Sequence, residues 1–172
     1  QLISDADSAR TTAMECACAG GFGWYRIRIE GEGDEATPIV EAVRDPLAVI
    51  WDSEAIRTDR MDIRHLAYLS TMGRKKFKKK YGREPVAYSS SSLWTPSEDS
   101  VAICEFWYRE GNKVYQVILD GEGIVEDAEE FPCSLIPWVF LPGEEYFVDG
   151  KVIFKGIVRD AKEASRFRNF WK

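Results

Sequence analysis

Residues 45–82 read DPLAVIWDSEAIRTDRMDIRHLAYLSTMGRKKFKKKYG, and the order of properties along them decides the fold class. An apolar run over 47–51 stops at the acidic pair Asp52 and Glu54. A charged loop follows, carrying Asp59, Arg60 and Asp62, and then a second apolar segment over 66–69. A short basic stretch closed by Gly82 completes the block. Apolar runs of this length bounded by polar residues imply strand, loop, strand, helix. The continuous apolarity of 47–51 suits a central strand, with 64–70 as its partner. Ser70 or Thr71 would then cap a helix over 74–81.

Upstream, residues 4–19 read as a helix: Ala6, Ala9, Ala13 and Cys16 or Ala17 recur at helical spacing, Ser4 and Asp7 resemble a capping box, and Gly20-Gly21 supplies a stop. Residues 24–30 alternate, with Tyr25, Ile27 and Ile29 against Arg26, Arg28 and Glu30, which is the pattern of a half-buried antiparallel strand. A glycine turn at 31–33 and a return strand over 39–44 follow.

Downstream, the serine run 89–92 with Pro85 and Pro96 marks 83–100 as a long loop. Strands are expected at 101–109 and 113–119 around a turn at 110–112, and the acidic stretch 121–130 reads as an exposed loop. Pro132, Pro137 and Pro142 suggest an extended, irregular segment. Asp149-Gly150 signals a tight hairpin between 146–148 and 152–154. A last helix puts Ala161, Ala164, Phe167 and Trp171 on one stripe. Hairpins flanked by a few helices, without regular strand–helix alternation, give an α+β class. One domain over 1–172 is expected, with a possible subdivision into 1–82 and 101–172 around the 83–100 loop.

The bulk numbers narrow the function. With 172 residues, 45% hydrophobic and 13% aromatic, the chain can bury a proper core. A net charge of −6 argues against a dedicated nucleic-acid binder. No apolar run approaches the roughly 20 residues of a membrane helix, and no signal peptide opens the chain. Cys16, Cys18, Cys104 and Cys133 lack regular spacing, which suits reduced thiols in a cytosolic setting. The start at Gln1 and the absence of a helix stop after 159–172 suggest a piece excised from a longer polypeptide, whose last apolar stripe should be partly exposed or paired.

Three constellations invite chemistry. The run Arg74, Lys75, Lys76, Lys78, Lys79, Lys80 could grip phosphates, with Arg74, Lys75, Lys78 and Lys79 as the contacts of a small nucleic-acid-binding module. The plainer reading is a solvated helix docked by Phe77 and Tyr81, and the amphipathic spacing favours it. Asp45, Asp52, Glu54, Asp59 and Asp62, with the single His65 as a base, could form a metal-dependent nuclease site. Their interleaving with Arg57, Arg60 and Arg64 looks instead like surface ion pairs. Cys16-x-Cys18 is a weak zinc signal, since residues two apart on a helix point to different faces. No nucleophilic triad and no phosphate-cradling glycine loop is present, so no catalytic, metal or cofactor residues are assigned and no enzyme activity is expected. Of the six tryptophans, Trp94 beside serines and Pro96 suits a contact to a neighbouring chain, and Trp171 at the last helix suits either such a contact or one with the rest of its own longer subunit.

The residues Asp45-Pro46, Val49, Trp51-Asp52, Asp62-Ile63-Arg64 and the stretch 77–81, together with LIPWVFLPGEEYFVDGKVIFKGIVRDAKEASRFRNFW (135–171), resemble the portal proteins of short-tailed bacteriophages. In that family a proline-bounded segment and a short hairpin precede a helix opened by glycine, a hydrophobic residue, valine and arginine, here Gly156 to Arg159. The resemblance covers most of the chain from Gly21, and the 83–100 loop stands outside it. It implies the wing region of a larger, mostly helical subunit with no cofactor and no enzymatic step. The implied assembly is a dodecameric ring at one capsid vertex, through which DNA is packaged and ejected and to which the tail attaches. Implied partners are other portal subunits, capsid and tail proteins and the terminase, in the virion and in host cytoplasm during assembly, with no membrane. Phe167, Trp171 and Trp94 become candidate subunit contacts, and the basic helix falls away from the DNA channel.

Overall fold

The computed structural model describes residues 5–31, 33, 36–86, 99–121 and 123–171. Among them are three α-helices and ten strands, every strand pairing antiparallel, which is the α+β class the sequence implies. Contacts divide the chain into two compact units, one of residues 1–46, 56–61 and 137–172, the other of 47–55 and 62–136.

The first unit opens with α1 (Ala6–Gly20), capped by the Asp5 carboxylate, which accepts the Ser8 amide. The expected Ser4–Asp7 box rests on Ser4, which lies outside the described residues, and the cap observed is Asp5. Gly21 ends the helix in the left-handed conformation. Strand β1 (Phe22–Glu30) then pairs with β2 (Thr37–Ala42), with Arg26 opposite Glu41. The α1 face that packs here is made of alanines, Ala9, Ala13 and Ala17, each nearly inaccessible. Small residues on the helix need a small residue opposite: a Cβ on Gly23 would lie 2.0 Å from the Ala13 carbonyl oxygen.

The second unit begins with β3 (Val49–Trp51), β4 (His65–Gly73) and α2 (Arg74–Tyr81). It continues through β5 (Ser100–Glu110), β6 (Lys113–Leu119) and β7 (Ile124–Phe131). The five strands form one sheet in the order β3-β4-β5-β6-β7. Helix α2 lies on one sheet face, where Phe77 is fully buried against Val101, Ile103 and Ile118, with Met72, Tyr81 and Val125 around them. Three expectations are corrected here. The 47–51 run is a one-turn 3-10 helix followed by a three-residue edge strand, with Leu47 and Ile50 exposed: apolar content alone did not make it central. The 70–71 positions remain inside β4, because nine consecutive residues of that strand pair with β5, and Gly73 rather than Ser70 or Thr71 precedes the helix. The acidic 124–131 stretch is a strand, since an edge strand can carry its carboxylates into water while its backbone pairs with β6.

The chain returns to the first unit with β8 (Trp138–Pro142), which completes the sheet β2-β1-β8. Residues 132–137 are irregular, as the prolines suggest, and only the extended end of that segment pairs, as β8. Pro142 is tolerated because β8 is an edge strand. Trp24, Trp138 and Phe140 are buried together, with Trp24 and Phe140 ring centroids 4.8 Å apart. The hairpin of β9 (Glu144–Val148) and β10 (Lys151–Lys155) turns at Asp149 and Gly150, both at positive φ (49° and 75°), as a type I′ turn requires. Helix α3 (Val158–Phe170) follows, and every side chain described in it is exposed.

Candidate functional site

Three acids of the 45–65 block, Asp52, Glu54 and Asp59, are separately employed. Asp52 is buried at the end of β3, where its carboxylate accepts the Glu54 amide at 2.9 Å and the Arg64 amide at 3.1 Å. Burial pushes its pKa up, but those two amides, helped by His65 and Arg64, outweigh it and hold the group below the ordinary value. His65 Nδ1 is 3.9 Å from Asp52, at an exposed position. Asp59 belongs to the first unit and forms a two-pronged pair with Arg57, at 2.8 and 2.6 Å. That pairing and the Met61 amide bring its pKa down to about 2. Glu54 meets Arg64 at 3.5 Å on the surface. Among the described residues no group of three or more His, Cys, Asp or Glu is placed to hold a metal ion. Asp52 therefore works as a loop staple: it closes the turn that carries the chain from β3 towards β4.

Arg60 departs from the surface-pair reading of its loop. It is 3% exposed and adopts a left-handed backbone (φ 53°). Its guanidinium reaches the Glu145 carboxylate at 2.6 Å and donates to the Arg57 carbonyl at 2.5 Å. It also lies over the Phe140 and Phe154 rings, 5.5 and 5.6 Å from their centroids. A planar cation can satisfy a carboxylate at its edge and aromatic faces on its plane, so burial of this charge is supported from both directions. Asp120 is a second buried charge, paired with Arg83 at 2.9 Å while it accepts the Gly123 and Val86 amides. The sequence reading placed Arg60 among surface ion pairs and did not single out Asp120. The Asp120-Gly121 turn signal was available, but nothing local pointed from Arg60 to a partner 85 residues away.

The thiols are quiet. Burial pushes Cys104 up to about 11 and raises Cys16 and Cys133 as well. All four cysteines are free, and Cys133 Sγ donates to the Leu135 carbonyl at 2.7 Å.

Two surfaces remain. The solvent side of α2 carries Arg74, Lys75, Lys76, Lys78, Lys79 and Lys80, all exposed, while Phe77 points into the core as the plainer reading of that helix required. The other is apolar: Phe167, Phe170 and Trp171 are 67%, 82% and 80% exposed at the end of α3. Phe147, on the β9–β10 hairpin, is exposed as well. Trp94, the third expected contact residue, lies outside the described residues. Trp24, Trp107 and Trp138, in contrast, are core. No helix described here is long and apolar enough to cross a membrane.

Comparison with known proteins gives these surfaces a context. A family profile described as Phage P22-like portal protein matches residues 3–114 and 109–172. A curated protein named "Portal protein" from Acyrthosiphon pisum secondary endosymbiont phage 1 is 19% identical over 224 aligned positions, covering 96% of this chain. The chain spans 31% of that relative's length.

Proposed function

Because this chain belongs to the phage P22-like portal protein family, we propose that it forms part of the portal ring at a capsid vertex. The family is structural rather than enzymatic, and portal membership makes the protein a virion component. In this reading the 172 residues are a wing-like segment of a larger subunit, the ring is dodecameric, and DNA enters and leaves through it. Capsid, tail and terminase proteins dock on the assembled ring, which is built in the host cytoplasm. The observation that carries the reading is the family match along nearly the whole chain.

The exposed aromatic end of α3 is the candidate contact between subunits. A helix of 13 residues is marginal by itself in water, and α3 buries none of its described side chains. Large aromatics held in solvent are the residue types that anchor protein interfaces. Phe167 and Trp171 are therefore assigned to a neighbouring subunit, and Trp94 joins them on its sequence setting.

Light scattering on the full-length protein, beside this segment, tests the proposal. A ring of about twelve subunits carrying Phe167→Ser/Trp171→Ser should assemble less completely than the unaltered ring, while the segment's melting temperature stays the same. Substitutions at exposed positions normally change stability by less than about 0.5 kcal/mol. A small, monomeric full-length protein would refute the ring.

A further inference from the structure

Helix α2 has a surplus of charge that docking on the core does not explain. Its eight residues, Arg74–Tyr81, contain six cations and no acid. Lys78 pairs with Glu84, which lowers the Glu84 pKa, and Lys80 donates to the Tyr81 hydroxyl at 3.0 Å. Lys75, Lys76 and Lys79 make no ion pair among the described residues. Elsewhere in the same unit Arg83 pairs with Asp120, Arg64 with Glu54 and Lys113 with Glu130, and Arg109 alone has no ion pair among the described residues.

Helical geometry places these three lysines together. At about 100° per residue, Lys75 and Lys79 stand roughly 160° from Phe77, the residue buried in the core. They therefore point straight into solvent, about 6 Å apart along the axis, with Lys76 beside them. We propose that this lysine face is a contact for the phosphate backbone of duplex DNA, independent of base sequence and independent of the ring assembly proposed above.

The chemistry of the face selects this partner. Phe77 is fully buried and Tyr81 is packed against the same cluster, so no aromatic on α2 is free to stack an unpaired base. Lysine is a hydrated point charge suited to phosphate, without the fork by which arginine grips carboxylates and guanines. Protein–protein interfaces are depleted in lysine and need apolar anchors, and the outward face of α2 has none. A membrane surface would also require apolar residues to insert. Duplex DNA supplies one negative charge per about 1.7 Å and gains from counterion release alone. The net charge of −6 confines the attraction to this face and makes the contact weak and orientation-specific.

The test is fluorescence anisotropy of a labelled duplex of about 20 base pairs, titrated with the 172-residue chain at several salt concentrations. Three phosphate contacts predict a log–log salt slope near −2.7, so affinity should fall about fortyfold between about 50 and 200 mM salt. Lys75→Ala/Lys79→Ala should reduce the slope to about −0.9 and the fall to about 3.5-fold. Alanine is the best helix former, so this variant should keep α2, which circular dichroism would verify. Lys75→Arg/Lys79→Arg should retain the slope, as should Lys151→Ala/Lys162→Ala, which removes two exposed charges elsewhere. Absence of binding at the lowest salt, equal slopes for the α2 alanine variant and the unaltered chain, or an equal loss in the 151/162 control would overturn the proposal. Competition by poly-glutamate as effective as DNA of equal charge would also overturn it, and would assign the face to an acidic protein segment.

Discussion

Replacing Glu145 by alanine should cost far more than its position near the surface suggests. Its side chain is 25% exposed, but its partner Arg60 is 3% exposed and held at 2.6 Å. Removing one member of a buried pair strands the other charge, at about 3–5 kcal/mol. Arg60 would keep the Arg57 carbonyl and the faces of Phe140 and Phe154, each ring contact contributing about 0.5–2 kcal/mol. The lower end of the range, about 3 kcal/mol, therefore applies. For a chain of this length that is a fall in melting temperature of about 6–12 °C. Arg60→Ala should cost a similar amount, through lost charge and lost packing. The double variant Arg60→Leu/Glu145→Leu should recover part of the loss, with a coupling of about 1.5 kcal/mol or more. Thermal melts of the three variants measure all of this. A fall of less than about 2 °C for Glu145→Ala would place the pair among ordinary surface salt bridges, at roughly 0.2–1 kcal/mol, and refute the reasoning.

Other consequences are equally direct. Gly23→Ala would drive a Cβ to 2.0 Å from the Ala13 carbonyl oxygen, so α1 must move off β1; a loss of about 3 kcal/mol or more is expected in denaturant titration. Phe77→Ala empties a fully buried site between Val101, Ile103 and Ile118 and should cost about 3–5 kcal/mol, read by the same titration. Asp59 has a folded pKa of about 2 against 3.8, so its contribution is complete above about pH 4 and lost as pH falls through 2; Asp59→Asn should flatten the stability profile across that window. Cys104 has its pKa raised to about 11 by burial, so at pH 8 its alkylation by iodoacetamide should be slow in the folded chain and fast in denaturant, as peptide mapping would show.

How much of this was legible in the sequence depends on whether a signal is local. The Asp149-Gly150 hairpin was legible because the turn needs two positive φ values that this pair supplies cheaply. The α2 helix was legible from Phe77 and Tyr81 at helical spacing, and its stop from Gly82. Strand β7 was hidden because Glu126, Asp127, Glu129 and Glu130 mask any alternation, and an edge strand needs little. Strand β3 misled in the opposite sense: its apolar residues read as burial, and Ile50 is exposed. In the candidate site, the aromatic stripe of α3 was visible, whereas the Arg60–Glu145 pair was not. A charged loop looks alike whether its arginine ends in water or under a distant carboxylate.

The interleaving of the two units also sets an order of events. In the first unit Trp24 pairs with Phe140, 116 positions later (140 − 24), and β8 supplies the missing edge of its sheet. At a synthesis rate of about 5–20 residues per second, β1 waits roughly 6–23 s on the ribosome for that strand. The whole of the second unit emerges in the interval, and its β5–β6 hairpin closes over a two-residue turn. Local closure of that kind takes microseconds, whereas the β1–β8 pairing must bridge a long chain segment. The second unit is therefore complete before the first, and the β1–β2 ribbon, with Trp24 uncovered until β8 arrives, is the part of the first unit that a chaperone would meet.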